Sequence, residues 1–515
     1  MAWVALLASL TFFSNVGGFP IYILDEAKNA ACAMEMAQRN DWIVPTFNGA
    51  LRTDKPTLHY YFMRAGYALF GITPLGARFF SSLMGVLTVL VVFGFVRQAA
   101  SLRAAWLASA ILLCSIHAAV QFHLAVPDPY LIFCMAAAWL TFAAARGGGR
   151  AYLFWISYGC VALAFMAKGP VAPLLFGLTV LVGLALQKQL TWRVLMSLQL
   201  GWGALIFLVI ALPWWAAVSV ATEGEWIRGF LFDHNIKRFT NTMEGHKGMP
   251  GLALLFFILA LFPLSPFLPQ ALRHAWQHRS QPLVNVALSG VVVTVIFFSF
   301  SRTFLPTYVG PAIPLGAVLL ALYFDRLMQQ RTAGLSVASL VIVSIVCCAL
   351  PVGAFFALRQ DATAHETAAY AWWLLPLTIA GIMLWFPFAQ RSVQWRAAIV
   401  LAGSFAAIQF LFYLIVPALL SHNPVSASAA YLHSGKPVYM YQRANPAFVF
   451  AAKRPIPVLS QPAELEQVLK QATSPIVLLT RQSEADTLSA FGFKVVFEKR
   501  DLFETPRTVV AENGF

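Results

Sequence analysis

Charged residues are scarce in this chain. Only 11% of its 515 residues are Asp, Glu, Lys or Arg, whereas 59% are hydrophobic. A soluble domain carries about 25% charged residues, so this composition excludes that class and predicts a polytopic membrane protein. The net charge of +14 would suggest nucleic acid in a soluble protein. In a membrane protein the placement of the charges is more informative, and no nucleic-acid partner is expected.

Cysteine is also sparse. The six cysteines lie almost wholly in apolar runs and show neither paired nor metal-ligand spacing. Buried free cysteine behaves as a small hydrophobe, so we expect core residues rather than disulfides or a metal centre. The N-terminus has no basic region before its apolar run and no convincing cleavage site. Residues 1–22 are therefore predicted to be a retained first span.

Long apolar runs dominate what is present. Runs of about 20 residues, the length that crosses a hydrocarbon core, recur about thirteen times. They cover roughly 1–23, 77–96, 104–124, 129–145, 151–167, 170–187, 194–218, 250–272, 283–300, 307–324, 333–357, 369–389 and 396–418. The predicted fold is thus an α-helical membrane protein.

Basic residues alternate between the connections. Each connection after an even-numbered span holds two Lys or Arg, and these twelve basic residues stand against one acid, Asp325. The positive-inside rule makes that face cytoplasmic and, with an odd number of spans, places the N-terminus there. The opposite face, periplasmic in a bacterium, then receives the C-terminus and every candidate for chemistry.

Two outer segments and the tail complete the predicted domain organisation. Residues 24–76 form a first loop with interfacial helices, and 219–249 form a second loop, within a membrane domain of residues 1–420. After residue 421, short β-rich runs at 438–441, 475–480 and 494–497 alternate with a helical stretch near 464–472. This pattern predicts a small α/β domain over 421–515 outside the membrane.

Carboxylates mark the outer face. Asp25 and Glu26 follow the first span directly, and Asp128 opens a later span on the same predicted side. Asp25 and Glu26 could be a solvated boundary pair, and Asp128 could simply be a helix N-cap before Pro129. As a functional group, two carboxylates around one cavity could orient or deprotonate an acceptor and stabilise an oxocarbenium-like centre.

Cations gather on the same side. Lys55 precedes a proline and so lies in a turn, where it suits a lipid phosphate, as do Lys28 and Arg52. Generic attraction to anionic headgroups is the alternative for these cations, although it is weaker on this face because the basic bias that membranes exploit is cytoplasmic. For Lys168 the alternative is snorkelling.

Two further outer segments hold candidate residues. The second loop, FDHNIKRFTNTMEGHKG, could place His234 and His246 with Asp233 or Glu244 around a metal, although a solvated polar loop explains it as well. Arg302 and Tyr308 lie at the predicted outer mouth of two spans, where an arginine without an adjacent acid is a functional hypothesis.

Several segments together resemble a known family. The matching pieces occur in the family's order over roughly residues 20–320: LDEAKNA, NDWIVPTFNG, DKPTLHYYF, the arginine of ARFFS, DPYL, FMAKGPVAPLL, FDHNIKRF and FFSFSRTFLPTY. They resemble the GT-C glycosyltransferases of the aminoarabinose transferase type, which are related to protein O-mannosyltransferases. The resemblance implies a GT-C transmembrane fold followed by an extramembrane domain.

The resemblance also implies residue roles. Asp25 resembles the family's essential first-loop aspartate, and Asp128 its second acidic residue. The residues implied to hold the lipid phosphate are Lys28, Lys55, Arg238, Arg302 and Tyr308. Supporting roles are expected for Glu26, Asp54, His59, Lys168 and His234. The chain departs from the family at two of these positions, since Lys28 stands where arginine is common and Asp54 where glutamate is common.

The expected activity follows from this resemblance. It is transfer of a sugar, with inversion, from an undecaprenyl-phosphate donor to lipid A or another envelope acceptor at the outer face of a bacterial inner membrane. No cofactor is required by the residues, and a divalent metal is left open. The alternatives are a protein or glycan O-glycosyltransferase of the same superfamily and a transporter or flippase for a lipid-linked substrate, whose site would lie nearer the bilayer midplane.

Overall fold

The computed structural model of the protein describes residues 1–236, 249, 251–330 and 334–514. Its helices in the first half are α1 Ala2–Phe12, α2 Leu24–Gln38, α3 Leu58–Phe70, α4 Pro74–Ala99, α5 Leu102–Leu113, α6 Ile116–Phe122, α7 Asp128–Arg146, α8 Tyr152–Lys168, α9 Val171–Leu186, α10 Trp192–Ser197, α11 Leu200–Ala221 and α12 Glu225–Arg228.

The helices of the second half are α13 Leu252–Ala260, α14 Leu268–Gln277, α15 Pro282–Ser299, α16 Ala312–Gln330, α17 Val337–Gln360, α18 Leu375–Met383, α19 Pro387–Gln390, α20 Val393–Phe410, α21 Val416–Ser421, α22 Pro424–Ala427, α23 Ala429–Leu432, α24 Pro446–Ala452, α25 Pro462–Gln471 and α26 Ala485–Ser489. Short 3-10 helices cover Ser265–Phe267, Pro306–Val309, His365–Leu374 and Gln482–Glu484, and π-helical turns cover Gly229–Ile236 and Leu411–Ile415.

The structure contains several apolar helices that are long enough to cross a membrane. Among the described residues there are seven of them, or up to nine if α5 with α6, and α13 with the segment through α14, each count as one bent span. Three further apolar helices, α1, α8 and α9, are shorter. The predicted α-helical polytopic membrane fold is confirmed, whereas the count of about thirteen spans stays a prediction.

Burial separates inner helices from outer ones. In α7, 89% of the most apolar 18-residue window is enclosed by protein, against 17% in α11. A helix such as α11 that exposes apolar side chains on most sides needs a non-aqueous surrounding, which lipid provides. Helix α7 therefore lies at the centre of the bundle, where Trp139 is fully buried.

A close helix crossing sets the position of the first loop on this bundle. A Cβ atom on Gly66 of α3 would lie 2.0 Å from the carbonyl oxygen of Gly76 in α4. Only glycine allows the two backbones to approach so closely. The crossing fixes α3, which carries His59 and Tyr60, against the membrane domain.

The first loop contains a hairpin that the sequence analysis did not identify. Strands β1 (Thr46–Phe47) and β2 (Ala50–Leu51) pair antiparallel through Asn48 and Gly49. Both turn residues have positive φ, of 53° and 81°. An Asn-Gly pair is the usual signature of a type I′ turn, so the signal was present in the sequence.

The C-terminal domain is a five-stranded mixed sheet with flanking helices, as predicted. Its strands are β3 Val438–Tyr441, β4 Val458–Leu459, β5 Val477–Arg481, β6 Phe493–Arg500 and β7 Arg507–Asn513, in the order β4-β3-β5-β7-β6. Strand β3 pairs parallel with β4 and β5, and β7 pairs antiparallel with β5 and β6. Strands β3, β5 and β6 were predicted from the sequence, whereas β4 and β7 were not.

This domain rests on the first loop. Asn48 accepts a hydrogen bond from the backbone N–H of Ile456 and donates one to its carbonyl oxygen, both at 2.8 Å. Gln38, at the end of α2, donates to the carbonyl of Lys453 at 2.8 Å. Helix α2 is helical as predicted, and the structure adds that protein covers both of its faces.

Candidate active site

Asp25 lies in the first turn of α2, and its side chain is exposed. A carboxylate there is favoured by the positive end of the helix dipole. The side-chain nitrogen of Asn29, one turn along, donates to the carbonyl oxygen of Asp25 at 2.8 Å and approaches its Oδ1 at 3.4 Å. Asp25 is thus an accessible anion whose position is constrained by the residue four places further on.

Glu26 differs from Asp25 in its burial and in its hydrogen-bond partners. Its side chain is buried, and its two carboxylate oxygens accept hydrogen bonds from Nε and Nη2 of Arg78 at 2.7 and 2.8 Å. Arg78 is fully buried and also donates to the carbonyl oxygens of Val16 and Phe19. The interpretation of Glu26 as a solvated boundary residue was wrong, because this pairing removes its charge from water.

Glu26 also brings the two candidate carboxylate segments together. The backbone N–H of Ala125 donates to Oε1 of Glu26 at 2.9 Å. Ala125 stands three residues before Asp128, and Glu26 directly follows Asp25. The start of α2 and the segment entering α7 are therefore held in contact by one buried carboxylate.

Asp128 is paired rather than capping. Its Oδ1 accepts a hydrogen bond from Nζ of Lys168 at 2.7 Å, and both side chains are largely buried. The N-cap position of α7 is occupied by Pro127, without a side-chain cap, so the N-cap interpretation of Asp128 was wrong. Lys168 Nζ also lies 5.2 Å from the ring centroid of Tyr308, a cation–π contact. Three predicted site residues from distant parts of the chain thus meet.

Asn29 is the centre of a buried polar cluster. Its Oδ1 accepts hydrogen bonds from Nη2 of Arg52 at 3.2 Å and from the hydroxyl of Tyr60 at 3.3 Å, and Nε2 of His59 lies 3.1 Å away. The side chains of Asn29, His59 and Tyr60 are fully buried. His59 was predicted from the sequence, but Asn29 and Tyr60 were not, because their one signal was their place beside the predicted site.

Asp54 joins this cluster to the second loop, residues 219–249. Nε2 of His234, on the π-helical turn Gly229–Ile236, lies 3.0 Å from Oδ1 of Asp54, and Nη2 of Arg52 lies 3.6 Å from its Oδ2. Burial favours the neutral acid, but the hydrogen bond from His234 and the charges of Arg52 and Lys55 outweigh it and hold the pKa of Asp54 well below its usual range.

The surroundings of His59 favour its neutral form. Burial, followed by the positive charges of Arg52 and Lys55, holds its pKa well below the usual value for histidine. A neutral imidazole places one proton on one ring nitrogen. Because Nε2 faces the acceptor oxygen of Asn29, Nε2 is the nitrogen that carries the proton.

The remaining predicted cations differ in exposure. Lys28 and Lys55 are half-buried, and Arg302 is exposed. Arg238 lies outside the described residues, as do Glu244 and His246 of the predicted metal loop. In the described part of the chain, no group of three or more His, Cys, Asp or Glu side chains could hold a metal ion.

Comparison with known proteins places this arrangement in context. The sequence family described as dolichyl-phosphate-mannose-protein mannosyltransferase matches residues 54–216. An undecaprenyl phosphate-alpha-4-amino-4-deoxy-L-arabinose arabinosyl transferase of Pseudomonas paraeruginosa is 30% identical over 439 residues, which cover 82% of this chain and 76% of the relative.

Solved structures share the fold. A crystal structure of ArnT from Cupriavidus metallidurans bound to undecaprenyl phosphate superposes with a TM-score of 0.82 at 21% identity, covering 100% of this chain and 98% of that one. The archaeal oligosaccharyltransferase AglB from Archaeoglobus fulgidus gives a TM-score of 0.54 at 13% identity, covering 95% and 70%. The chain belongs to the family of undecaprenyl phosphate-aminoarabinose arabinosyl transferases, and is a glycosyltransferase of the GT-C type and a multi-pass protein of a bacterial inner membrane.

Proposed function

We propose that the protein transfers a sugar from an undecaprenyl-phosphate donor to lipid A, or to another envelope acceptor, at the periplasmic face of the inner membrane. The observation that carries this proposal is the exposed carboxylate of Asp25, which Glu26 holds beside the segment leading to Asp128. The named relatives use an undecaprenyl-phosphate sugar, and the matched ArnT structure holds undecaprenyl phosphate.

Cations of the outer loops bind the donor phosphate. Lys55 and Lys28 supply positive charge from the first loop, Arg238 from the second, and Arg302 with Tyr308 from the mouth of a later span. Neutralising the phosphate makes it a better leaving group when the anomeric C–O bond breaks. This is electrostatic stabilisation of charge that develops in the transition state, with no covalent intermediate on the protein. Direct displacement then inverts the anomeric centre.

The role of Asp25 depends on the acceptor. A lipid A phosphate is already ionised near neutral pH and needs no base, so Asp25 would orient it and stabilise the developing charge on the sugar. A hydroxyl acceptor on a protein or glycan would instead lose its proton to Asp25 as the new bond forms. Asp128, neutralised by Lys168 at 2.7 Å, is better suited to positioning than to accepting a proton.

Orientation follows from the basic connections. The twelve Lys and Arg residues after even-numbered spans, with Asp325 as the single acid among them, put those connections in the cytoplasm. The N-terminus is then cytoplasmic, and the first loop, the second loop and the C-terminal domain are periplasmic.

Transfer in a defined system tests the proposal. Purified protein in liposomes is incubated with several undecaprenyl-phosphate sugars and lipid A, and both products are followed by mass spectrometry. Glycosylated lipid A with release of undecaprenyl phosphate is the expected result. Turnover only with a protein or glycan acceptor would move the chemistry to a hydroxyl. No consumption of any donor would overturn the proposal in favour of transport.

Two variants sharpen this experiment. Asp25→Asn removes the charge of an exposed side chain in the first turn of α2 and is expected to stop transfer. Glu366→Gln is a matched control, since Glu366 is 67% exposed in another outer segment and its carboxylate lies 3.8 Å from Nδ1 of His422. The control is expected to turn over at the wild-type rate.

A further inference from the structure

The buried cluster around Asn29 contains polar groups that the fold does not need for its stability. Arg52 is 4% exposed, and within the described residues its Nε and Nη1 atoms have no hydrogen-bond partner. An unsatisfied buried donor costs about 1–3 kcal/mol. The one carboxylate that pairs with Arg52 in the described part of the chain is Asp54, at 3.6 Å, and Asp54 is shared with His234. Such an arrangement is costly for stability and therefore points to a role in function.

The contacts of Asn29 indicate what this buried cluster does. Its Oδ1 is approached by the guanidinium of Arg52, the imidazole of His59 and the hydroxyl of Tyr60, all within 3.3 Å. These contacts fix the amide plane and direct the side-chain nitrogen outward. That nitrogen meets the carbonyl oxygen and Oδ1 of Asp25. Asn29 thus connects a buried set of donors to an exposed carboxylate.

Two features make this more than local packing. First, the amide orientation is determined by its surroundings, because an acceptor must face the three donors and only the N–H side remains for Asp25. Second, polarisation by a buried guanidinium strengthens the N–H groups on the opposite side of the amide, since hydrogen bonds in a chain reinforce one another. Both effects act on Asp25 through Asn29.

We propose that Asn29 is a positioning residue for transfer: held at its Oδ1 by Arg52, His59 and Tyr60, it keeps the Asp25 carboxylate in the orientation that the reaction needs. This inference rests on the proposed function, since it assigns the support for the same carboxylate. Asn29 touches neither donor nor acceptor in this role. Asn29 affects the rate at which the bound complex reacts. A misplacement of about 1 Å at a reacting group lowers that rate by up to about 100-fold.

Two substitutions separate positioning from folding. Asn29→Ala removes the amide altogether. Asn29→Asp keeps an oxygen for Arg52, His59 and Tyr60 and adds an ion pair with Arg52, but it replaces the N–H donor with a second anion facing Asp25. A purely structural role makes Asn29→Asp the milder change. The positioning role makes it at least as damaging to kcat as Asn29→Ala.

The experiment measures kcat and KM for the donor in liposomes, per mole of folded protein. The expected result is a fall in kcat of about 10- to 100-fold for both variants, with little change in KM. Asn285→Ala is the matched control, since Asn285 of α15 is a buried amide that donates to the carbonyl oxygen of Gly183 in α9 at 3.0 Å. Its kcat is expected to stay at the wild-type value. Wild-type kcat in Asn29→Asp would overturn the proposal while the proposed function stood.

A second measurement does not need turnover. Carbodiimide labelling of Asp25 in the reconstituted protein, quantified by mass spectrometry against Glu366 as an internal reference, reports the local environment of the carboxylate. The labelling rate is expected to change in Asn29→Ala and Asn29→Asp and not in Asn285→Ala. An unchanged rate in both Asn29 variants would overturn the proposal, whatever the donor panel shows. Failure of the wild-type protein to transfer any sugar, by contrast, would count against the proposed function.

Discussion

Nε and Nη2 of Arg78 lie 2.7 and 2.8 Å from the two carboxylate oxygens of Glu26, and both side chains are closed off from solvent. This bidentate pair joins α4 to the start of α2 across 52 residues of sequence. It explains why a strongly apolar helix carries an arginine. It also fixes the position of Asp25, one residue before Glu26, relative to the helix bundle.

Breaking this pair should destabilise the protein. Arg78→Met leaves Glu26 buried without its counter-charge, and removing one partner of a buried pair costs about 3–5 kcal/mol. Thermal unfolding in detergent should show a large loss for Arg78→Met. In the double variant with Glu26→Gln the loss should be smaller than the sum of the single losses, because the two residues share one interaction.

An exposed pair in the same loop provides the control. Arg39 and Asp41 approach to 3.5 Å with side chains 42% and 28% exposed. Arg39→Met should cost at most about 1 kcal/mol, since solvent screens such a pair. Equal losses for Arg39→Met and Arg78→Met would contradict the assignment of Glu26 and Arg78 as a structural anchor.

Asp25→Asn should separate activity from folding. The carboxylate is exposed, so its loss should leave thermal unfolding close to that of the wild type. Transfer should fall by at least about 100-fold if Asp25 acts as a general base, and such groups contribute about 10²–10⁴-fold. Initial rates in liposomes measure the effect. A correctly inserted Asp25→Asn protein with wild-type turnover would refute the role given to Asp25.

The pair of Asp128 and Lys168 should behave as one unit. Lys168→Met leaves a largely buried carboxylate without its 2.7 Å partner, and we expect a loss of about 3 kcal/mol in the free energy of unfolding. Asp128→Asn in the Lys168→Met background removes that isolated charge and should recover part of the loss. Thermal unfolding of the three variants tests this, and independent, additive losses would show that the two side chains do not interact.

Asn48 should hold the C-terminal domain on the first loop. Asn48→Gly keeps a residue that adopts positive φ readily but removes the two hydrogen bonds to Ile456. The expected loss is about 1–2 kcal/mol of docking free energy, seen as faster hydrogen exchange at Ile456 and faster proteolysis between the domains. Ser483→Gly is the control, since the hydroxyl of this exposed serine contacts its neighbour Glu484. If Asn48→Gly and the wild type were equally protected from hydrogen exchange at Ile456 and from proteolysis, a docking role for Asn48 would be excluded.

The protonation of His59 should make stability depend on pH. Its pKa in the folded protein lies below the value of about 6.5 for an unperturbed histidine. Above pH ~6.5 both states are neutral, and as the pH falls below ~6.5 only the unfolded state takes up this proton. The stability conferred by neutral His59 is therefore present above pH ~6.5 and lost at lower pH, with a slope of at most about 1.4 kcal/mol per pH unit.

Comparison with a variant isolates this contribution from other groups. His59→Gln carries no titrating group at this position, so its stability should fall less between pH 7 and pH 5 than that of the wild type. Unfolding followed at several pH values in one detergent measures the difference. Parallel curves for the two proteins would contradict this prediction, because they would show that His59 takes up its proton equally readily in the folded and unfolded states.

The sequence by itself determined the class, the family and most candidate residues. A shortage of charge and long apolar runs require a membrane, since such helices cannot be hidden from water in a chain of this length. Asp25, Asp128, Lys55 and His234 stood out because charge beside a span needs a reason. The resemblance to the GT-C family supplied roles for them, and the alternation in the tail predicted the C-terminal sheet.

Only the tertiary structure decided which neighbours these residues have. Nothing local distinguishes Glu26 from Asp25, yet one is enclosed with Arg78 and the other faces outward. The partners of Asp128 and Asn29 lie 40 and up to 31 residues away. Propensity and hydropathy report the environment of a segment, whereas the pairing of charges depends on how helices from distant parts of the chain meet. That information exists only when the bundle is assembled.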